Sequence, residues 1–124
     1  MSIEPMPGID AWLRELKADP ASSGVGMYLS HNGIVRAFSR DGREVTGMEL
    51  SVDRDLLASA VEEARRMPGI VQVRVWVNEG HLKIGDDIMY VLVGGDIRDN
   101  VFDALKSLVK TIKTTVVAET ELRP

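Results

Sequence analysis

Across Pro68-Gly69 the apolar residues of this chain change their period, and that change constrains the fold more than any other feature. Over residues 54–67, Leu56, Leu57, Ala60, Val61 and Ala64 recur at helical spacing, while Glu62, Glu63, Arg65 and Arg66 occupy the other side. Asp53 stands where an N-cap belongs, and Pro68-Gly69 ends the helix. Residues 70–77 (IVQVRVWV) then alternate, with Val71, Val73, Val75 and Val77 on one face, which predicts a half-buried strand. A helix with one apolar stripe beside a strand with one apolar face must bury both in a layered domain.

The remaining elements fit that frame. Ile9, Trp12, Leu13 and Leu16 predict a helix over 9–18, stopped by Pro20, with a loop at Ser22-Ser23-Gly24. Residues 25–38 are rich in strand formers and are interrupted at Asn32-Gly33. Two readings stand there: a type I′ hairpin turn, or a bulge within one bent strand. Arg40-Asp41-Gly42-Arg43 makes a polar turn, 44–52 a strand, Asn78-Glu79-Gly80 a turn, and 87–93 an apolar strand. Asp96 is placed to cap a last helix, in which Val101, Leu105, Leu108 and Ile112 form a stripe. Residues 114–122 read as a terminal strand. The class is α+β, a mixed or antiparallel sheet with about three helices.

Composition then excludes function classes. A chain of 124 residues is the size of one domain, read here as 1–124. Its 15 Lys and Arg against 19 Asp and Glu leave a net charge of −4, the wrong sign for a general nucleic-acid binder. No cysteine is present, so there is no disulfide, thiolate nucleophile or iron–sulfur ligand. No apolar run approaches the ~18 residues of a membrane span. Residues 1–9 lack the basic start and apolar stretch of a signal peptide, so a soluble cytoplasmic protein is expected.

Few residues carry chemistry by themselves. Gly94-Gly95-Asp96 before a helix reads either as an anion cradle, with Arg98 adding donors, or as a strand–helix turn with a capping Asp. Lys106, Lys110 and Lys113 lie within roughly 60° on one helix face. They form either a solvated stripe or, if one sits in a partly dry pocket, a source of a base or nucleophile. His31 and His81 read as strand-edge or turn residues; two isolated histidines make no zinc site. No metal and no bound cofactor is expected, since no Ser elbow, Walker loop or dinucleotide fingerprint is present.

In order and spacing, these pieces resemble the large, catalytic subunit of molybdopterin synthase, from about Ile9 to Lys113. The matching segments are the Ile9-Asp10 helix start, Pro20, Gly33-Ile34-Val35-Arg36, Gly80-His81-Leu82-Lys83-Ile84-Gly85-Asp86, and a last helix with Arg98, Val101-Phe102 and Lys113. The resemblance implies a hammerhead-like α/β fold and a homodimer. It also implies a small ubiquitin-like partner whose C-terminal Gly-Gly thiocarboxylate delivers sulfur to a cyclic pyranopterin phosphate. Arg36 and Arg98 match positions that hold the anionic substrate, and Lys113 matches the lysine placed for proton transfer or covalent work.

The sequence also departs from that family. Ile97 replaces a histidine, Val77-Asn78 replaces a His-Arg pair, Thr120 occupies the second catalytic lysine's position, and the family's tail is expected to be missing after Pro124. Two functions are therefore carried forward. One is the sulfur transferase of molybdenum cofactor biosynthesis; the other is a catalytically impaired relative that acts as a scaffold for the ubiquitin-like partner.

Overall fold

The structure, a computed structural model, describes residues 7–124. Residues 1–6, most of the stretch judged above for a signal peptide, lie outside the described residues. The first helix, α1 (Ile9–Ala18), ends where predicted; the Asp19 carboxylate accepts the Ala21 N–H and opens a short 3-10 turn at Pro20–Gly24. Strand β1 (Met27–Ile34) follows as one continuous strand. It pairs antiparallel with β5 (Asp87–Gly95) from Met27 opposite Gly95 to Gly33 opposite Met89, and the register slips between Gly33 and Ile34. Asn32-Gly33 is thus the site of a bulge and no hairpin turn, because both flanking halves pair with the same partner. The Asn32 amide holds it by donating to the Met89 carbonyl and the Asp87 carboxylate.

Strand β2 (Gly47–Val52) is shorter than the expected 44–52. Glu44 makes a lone bridge to Phe38, and Val45 N–H donates to Ala37, so these residues close a loop on themselves instead of extending the strand. Helix α2 (Arg54–Arg65) is capped by Asp53, whose carboxylate accepts the Leu56 N–H at 3.0 Å. Leu57, Ala60 and Ala64 are buried, but Leu56, expected to face inward, is exposed at the capped end.

Strand β3 (Ile70–Val77) has the expected bounds, yet it is covered on both faces, not one. Val73 and Val77 enter the main core, whereas Gln72 and Trp76 are buried on the opposite side. The cover there is α1: Gln72 Nε2 donates to the Leu16 carbonyl at 3.0 Å, and Arg74 pairs with Glu15 at 2.6 Å. After β4 (Gly80–Lys83) and β5 come α3 (Arg98–Thr111), a π-helical turn at Ile112–Val116, and β6 (Val117–Leu122). The terminal strand thus starts three residues later than expected, because the helical path overruns.

The strands form two three-stranded antiparallel sheets, ordered β1-β5-β3 and β4-β2-β6. Helices α2 and α3 lie on one face of the first sheet. A single core joins Val91, Val93, Val101, Leu108 and Ile112 to Met48, Leu50 and Leu82 of the second sheet. The class is α+β, as the pattern predicted. On the α1 face, Tyr28 reaches across Gly94 to donate to Gln72 Oε1 at 2.7 Å. Gly94 is opposite both residues in the ladders, and a Cβ there would stand 2.6 Å from the tyrosine ring. Among the described residues, no helix is long and apolar enough to cross a membrane.

Candidate functional site

The three residues expected to share a site, Arg36, Arg98 and Lys113, are all exposed, and the fold separates one of them from the other two. Arg36 follows β1, at the end of the first sheet where Val35 N–H donates to Asp86. Arg98 opens α3, beyond the opposite end of β5. The length of β5 between them is about 25 Å, from its rise per residue. Lys113 lies in the turn after α3, about 22 Å along the helical path from Arg98 and therefore back at the Arg36 end. Within one chain, Arg36 and Lys113 share an end of the sheet and Arg98 does not.

Each departure from the family pattern has a visible position. Thr120 lies on β6 opposite Glu49, which in turn is opposite His81 and bonded to its Nδ1 at 2.7 Å. A carboxylate thus adjoins the position where the second lysine is expected, with an imidazole on the strand beyond it. Val77 is buried, and Asn78 is committed to the β3–β4 turn, its amide donating to Asp87 and its backbone N–H to Ile88. Ile97 is exposed beside Arg98.

The Gly-Gly-Asp segment resolves toward its structural reading. Both glycines belong to buried β5, and the Asp96 carboxylate itself occupies the helix start, accepting the Ile97 N–H at 2.6 Å and the Asn100 amide at 2.9 Å. Those two donors hold the Asp96 carboxyl below the usual range, the Asn100 bond contributing most. Ile97, not Asp96, is the N-cap residue, since the chain becomes helical one residue later than the sequence signal indicates.

The residue that sequence reasoning placed at a strand edge, His31, proves more informative. It lies within β1 on the side facing α3, in a groove of about 420 Å³ lined with Leu29, Phe102, Leu105, Lys106, Val109 and Lys110. Its Nε2 is sealed from solvent and has no hydrogen-bond partner. Burial, and secondarily the charge of Lys113, push the imidazole below its ordinary pKa, so it is neutral at pH 7. The signal was present in the sequence: with a period of two, His31 shares the face of Leu29 and Gly33. The lysine stripe is solvent-exposed, and Lys106 and Lys110 form a charged rim above the apolar groove. Among the described residues, no three metal-ligating side chains stand together.

Comparison with known proteins agrees with this architecture. A solved molybdopterin synthase from Staphylococcus aureus superposes with a TM-score of 0.77 at 21% identity, covering 98% of this chain and 88% of that one. A molybdopterin cofactor biosynthesis protein E from Burkholderia multivorans gives 0.75 at 24% identity, covering 98% and 84%. A complex of subunits 1 and 2 of molybdopterin-converting factor from Helicobacter pylori gives 0.68 at 16%, covering 93% and 78%. An uncharacterized protein of Methanocaldococcus jannaschii is 28% identical over 92 residues, 71% of this chain and 77% of that protein. The family model described as MoaE protein matches residues 9–115, and the chain accordingly belongs to the MoaE family, the large subunits of molybdopterin synthase.

Proposed function

We propose that this chain transfers sulfur from the C-terminal Gly-Gly thiocarboxylate of a small ubiquitin-like subunit to a cyclic pyranopterin phosphate, and that it does so as a homodimer. A role in molybdenum cofactor biosynthesis follows from family membership; the reaction, the partner and the residues are the proposal. The observation that carries it is the separation just described. By element lengths, Arg36 and Lys113 lie toward one end of the β1–β5 sheet and Arg98 toward the other.

A two-fold axis that runs the α3 helices of two copies antiparallel brings each Arg98 to the other copy's Lys113. An isologous contact repeats this twice, giving two equivalent sites per dimer. In each site Arg36 and Arg98 of the partner subunit hold the substrate phosphate with guanidinium forks. Lys113 moves a proton as the thiocarboxylate sulfur attacks the pterin.

The test uses a thiocarboxylated small subunit, the pterin precursor and detection of the dithiolene product. Lys113→Ala and Arg98→Ala are each expected to lower the rate about 10²–10³-fold. Mixed and allowed to exchange, the two variants form hybrids with one intact and one doubly altered site, restoring about a quarter of the wild-type rate. Inactive variants that stay inactive when mixed would refute the shared site.

A second reading is supported by Thr120 and Ile97. A hydroxyl beside Glu49 and an apolar side chain beside Arg98 both replace cationic or donor groups. In that reading the chain holds the ubiquitin-like protein without transferring sulfur. Absence of product from wild type, with measurable affinity for the small subunit, selects it.

A further inference from the structure

Phe102 stands half exposed, at 51%, on the rim of the apolar groove between α3 and β1, with Leu105 and Val109 lining the same groove. A contiguous apolar surface rimmed by charge marks a contact site. On α3 its residues are symmetric about one point. Leu105 and Lys106 flank that point, and Phe102 and Val109 stand about 5 Å to either side of it. The helix face is therefore complementary to itself when turned end for end.

The charges beside the groove divide at the same point. Asp99 and Asp103 precede it, whereas Lys106, Lys110 and Lys113 follow it, and all five are exposed. Among the described residues none of the five is in an ion pair. At ~100° per residue, Asp99, Asp103, Lys106 and Lys110 share one flank of α3 within about 60°. Their spacing within the helix is unfavourable: Asp99 with Asp103 and Lys106 with Lys110 are like pairs at i, i+4. A second α3 running antiparallel relieves both. The same flank of each helix then adjoins, and Asp103 of each copy falls between Lys106 and Lys110 of the other, about 3 Å along the axis from each. A parallel pair sets aspartate on aspartate and lysine on lysine.

We propose that the occupant of the α3–β1 groove is α3 of a second copy, packed antiparallel about a two-fold axis at the Leu105–Lys106 midpoint, with Phe102 of each copy seated against Val109 of the other. Because β1 and α3 both run away from the Gly95 end of the sheet, that ring enters the groove toward His31. Phe102 supplies the affinity, since a half-exposed aromatic gains much from full burial. The exposed charges add little affinity and select the direction of packing. The same axis lies midway between Arg98 and Lys113, so the contact deepens the shared-site reading above and rests on it for its catalytic purpose alone.

The chain has no cysteine, so introduced cysteines report the contact in the full-length protein. Lys106→Cys, beside the axis, is expected to cross-link to its own copy on mild oxidation, the facing Cα atoms lying about 6 Å apart. Phe102→Cys is expected not to, its two copies being about 10 Å apart along the axis, but to cross-link when mixed with Val109→Cys, a pairing that retains one Phe102–Val109 contact. Analytical ultracentrifugation is expected to give twice 13.7 kDa for wild type, and a dimer dissociation constant about 100-fold higher for Phe102→Asp.

A monomeric wild type overturns the inference, as does a Phe102→Asp dimer as tight as wild type or a Phe102→Cys protein that cross-links to itself. If wild type is monomeric and Phe102→Asp loses affinity for the small subunit, the groove belongs to that subunit, which also overturns it. Should Phe102→Asp unfold by circular dichroism, the cysteine pairs carry the decision. The chemistry is judged apart from the contact: a correctly cross-linked dimer that makes no dithiolene refutes sulfur transfer and keeps the contact, and a monomer that makes product does the reverse.

Discussion

Gln72 is a polar side chain at 6% exposure in a strand with four valines, and replacing it tests whether hydrogen bonds through its amide fasten α1 to the sheet. Its amide oxygen accepts from Tyr28 Oη at 2.7 Å, and its nitrogen donates to the Leu16 carbonyl at 3.0 Å, near the end of α1. Gln72→Leu removes both bonds at nearly constant volume. Each is worth about 1 kcal/mol net. The groups left behind are not stranded: Tyr28 is half-buried and can turn toward water, and the Leu16 carbonyl still accepts from Asp19 N–H at 3.2 Å. The apolar replacement returns part of the loss through burial, so the net cost is about 1.5 kcal/mol. For a domain this size the unfolding entropy is about 0.26 kcal/mol per kelvin, which converts that cost to a drop of about 6 °C in Tm. Tyr28→Phe breaks one of the two bonds and is expected to lose about half as much. Thermal unfolding followed by circular dichroism gives the numbers, and hydrogen exchange at the α1 amides locates the loosening. A Gln72→Leu protein as stable as wild type, with α1 amides equally protected, would mean that apolar contacts of Leu16, Trp76 and Leu92 hold this face alone.

Gly94→Ala is expected to cost about 2 kcal/mol, because the new methyl meets the Tyr28 ring at 2.6 Å and the Tyr28–Gln72 bond must break to admit it; urea unfolding and loss of the tyrosine fluorescence environment check it. Asp53→Ala removes the side-chain acceptor of the Leu56 N–H and is expected to lower stability by about 1 kcal/mol, with Asp53→Asn nearly neutral. Stability is expected to rise with pH below the ordinary histidine value. The folded pKa of His31 is depressed, so in that range the unfolded chain binds a proton that the folded chain does not, and stability is lost as pH falls through it. Urea midpoints between pH 5 and 7.5 measure this slope, and Lys113→Met, which removes the opposing charge, is expected to flatten it.

The sequence was legible wherever local chemistry and burial agreed. Residues 70–77 alternate without interruption between two turn signals, and the strand has those bounds. Asp53 had no competitor for its cap, and it caps. Legibility failed where tertiary partners decide. Alternation cannot show that β3 is covered on its second face, because the cover comes from α1, more than fifty residues earlier, through Gln72 and Arg74. The π-helical turn at Ile112–Val116 is equally unreadable: Thr114, Thr115 and Val116 are β-branched and favour a strand, but Ile112 and Val116 are drawn into the core, and the helical path continues to deliver them. Arg36, Arg98 and Lys113 could be named from motif spacing, whereas their separation follows only from the antiparallel ladder of β1 and β5.

That separation gives two of the departures from the family pattern, Ile97 and Thr120, a common meaning. Ile97 lies one residue from Arg98, and Thr120 lies on the strand that follows Lys113, so a single chain carries them at opposite ends of α3. In the proposed dimer they converge with Arg98 on the same site, which then lacks one imidazole and one ammonium relative to the family pattern. Both missing groups are donors suited to an anion, while the lysine at position 113 is present. The depletion thus falls on holding the phosphate more than on moving the proton. A weakened hold on the ground state and transition state alike raises KM and leaves kcat. Under the sulfur-transfer proposal, a large subunit with this residue set is expected to show a raised KM with kcat little changed, and a loss confined to kcat would refute that division of roles.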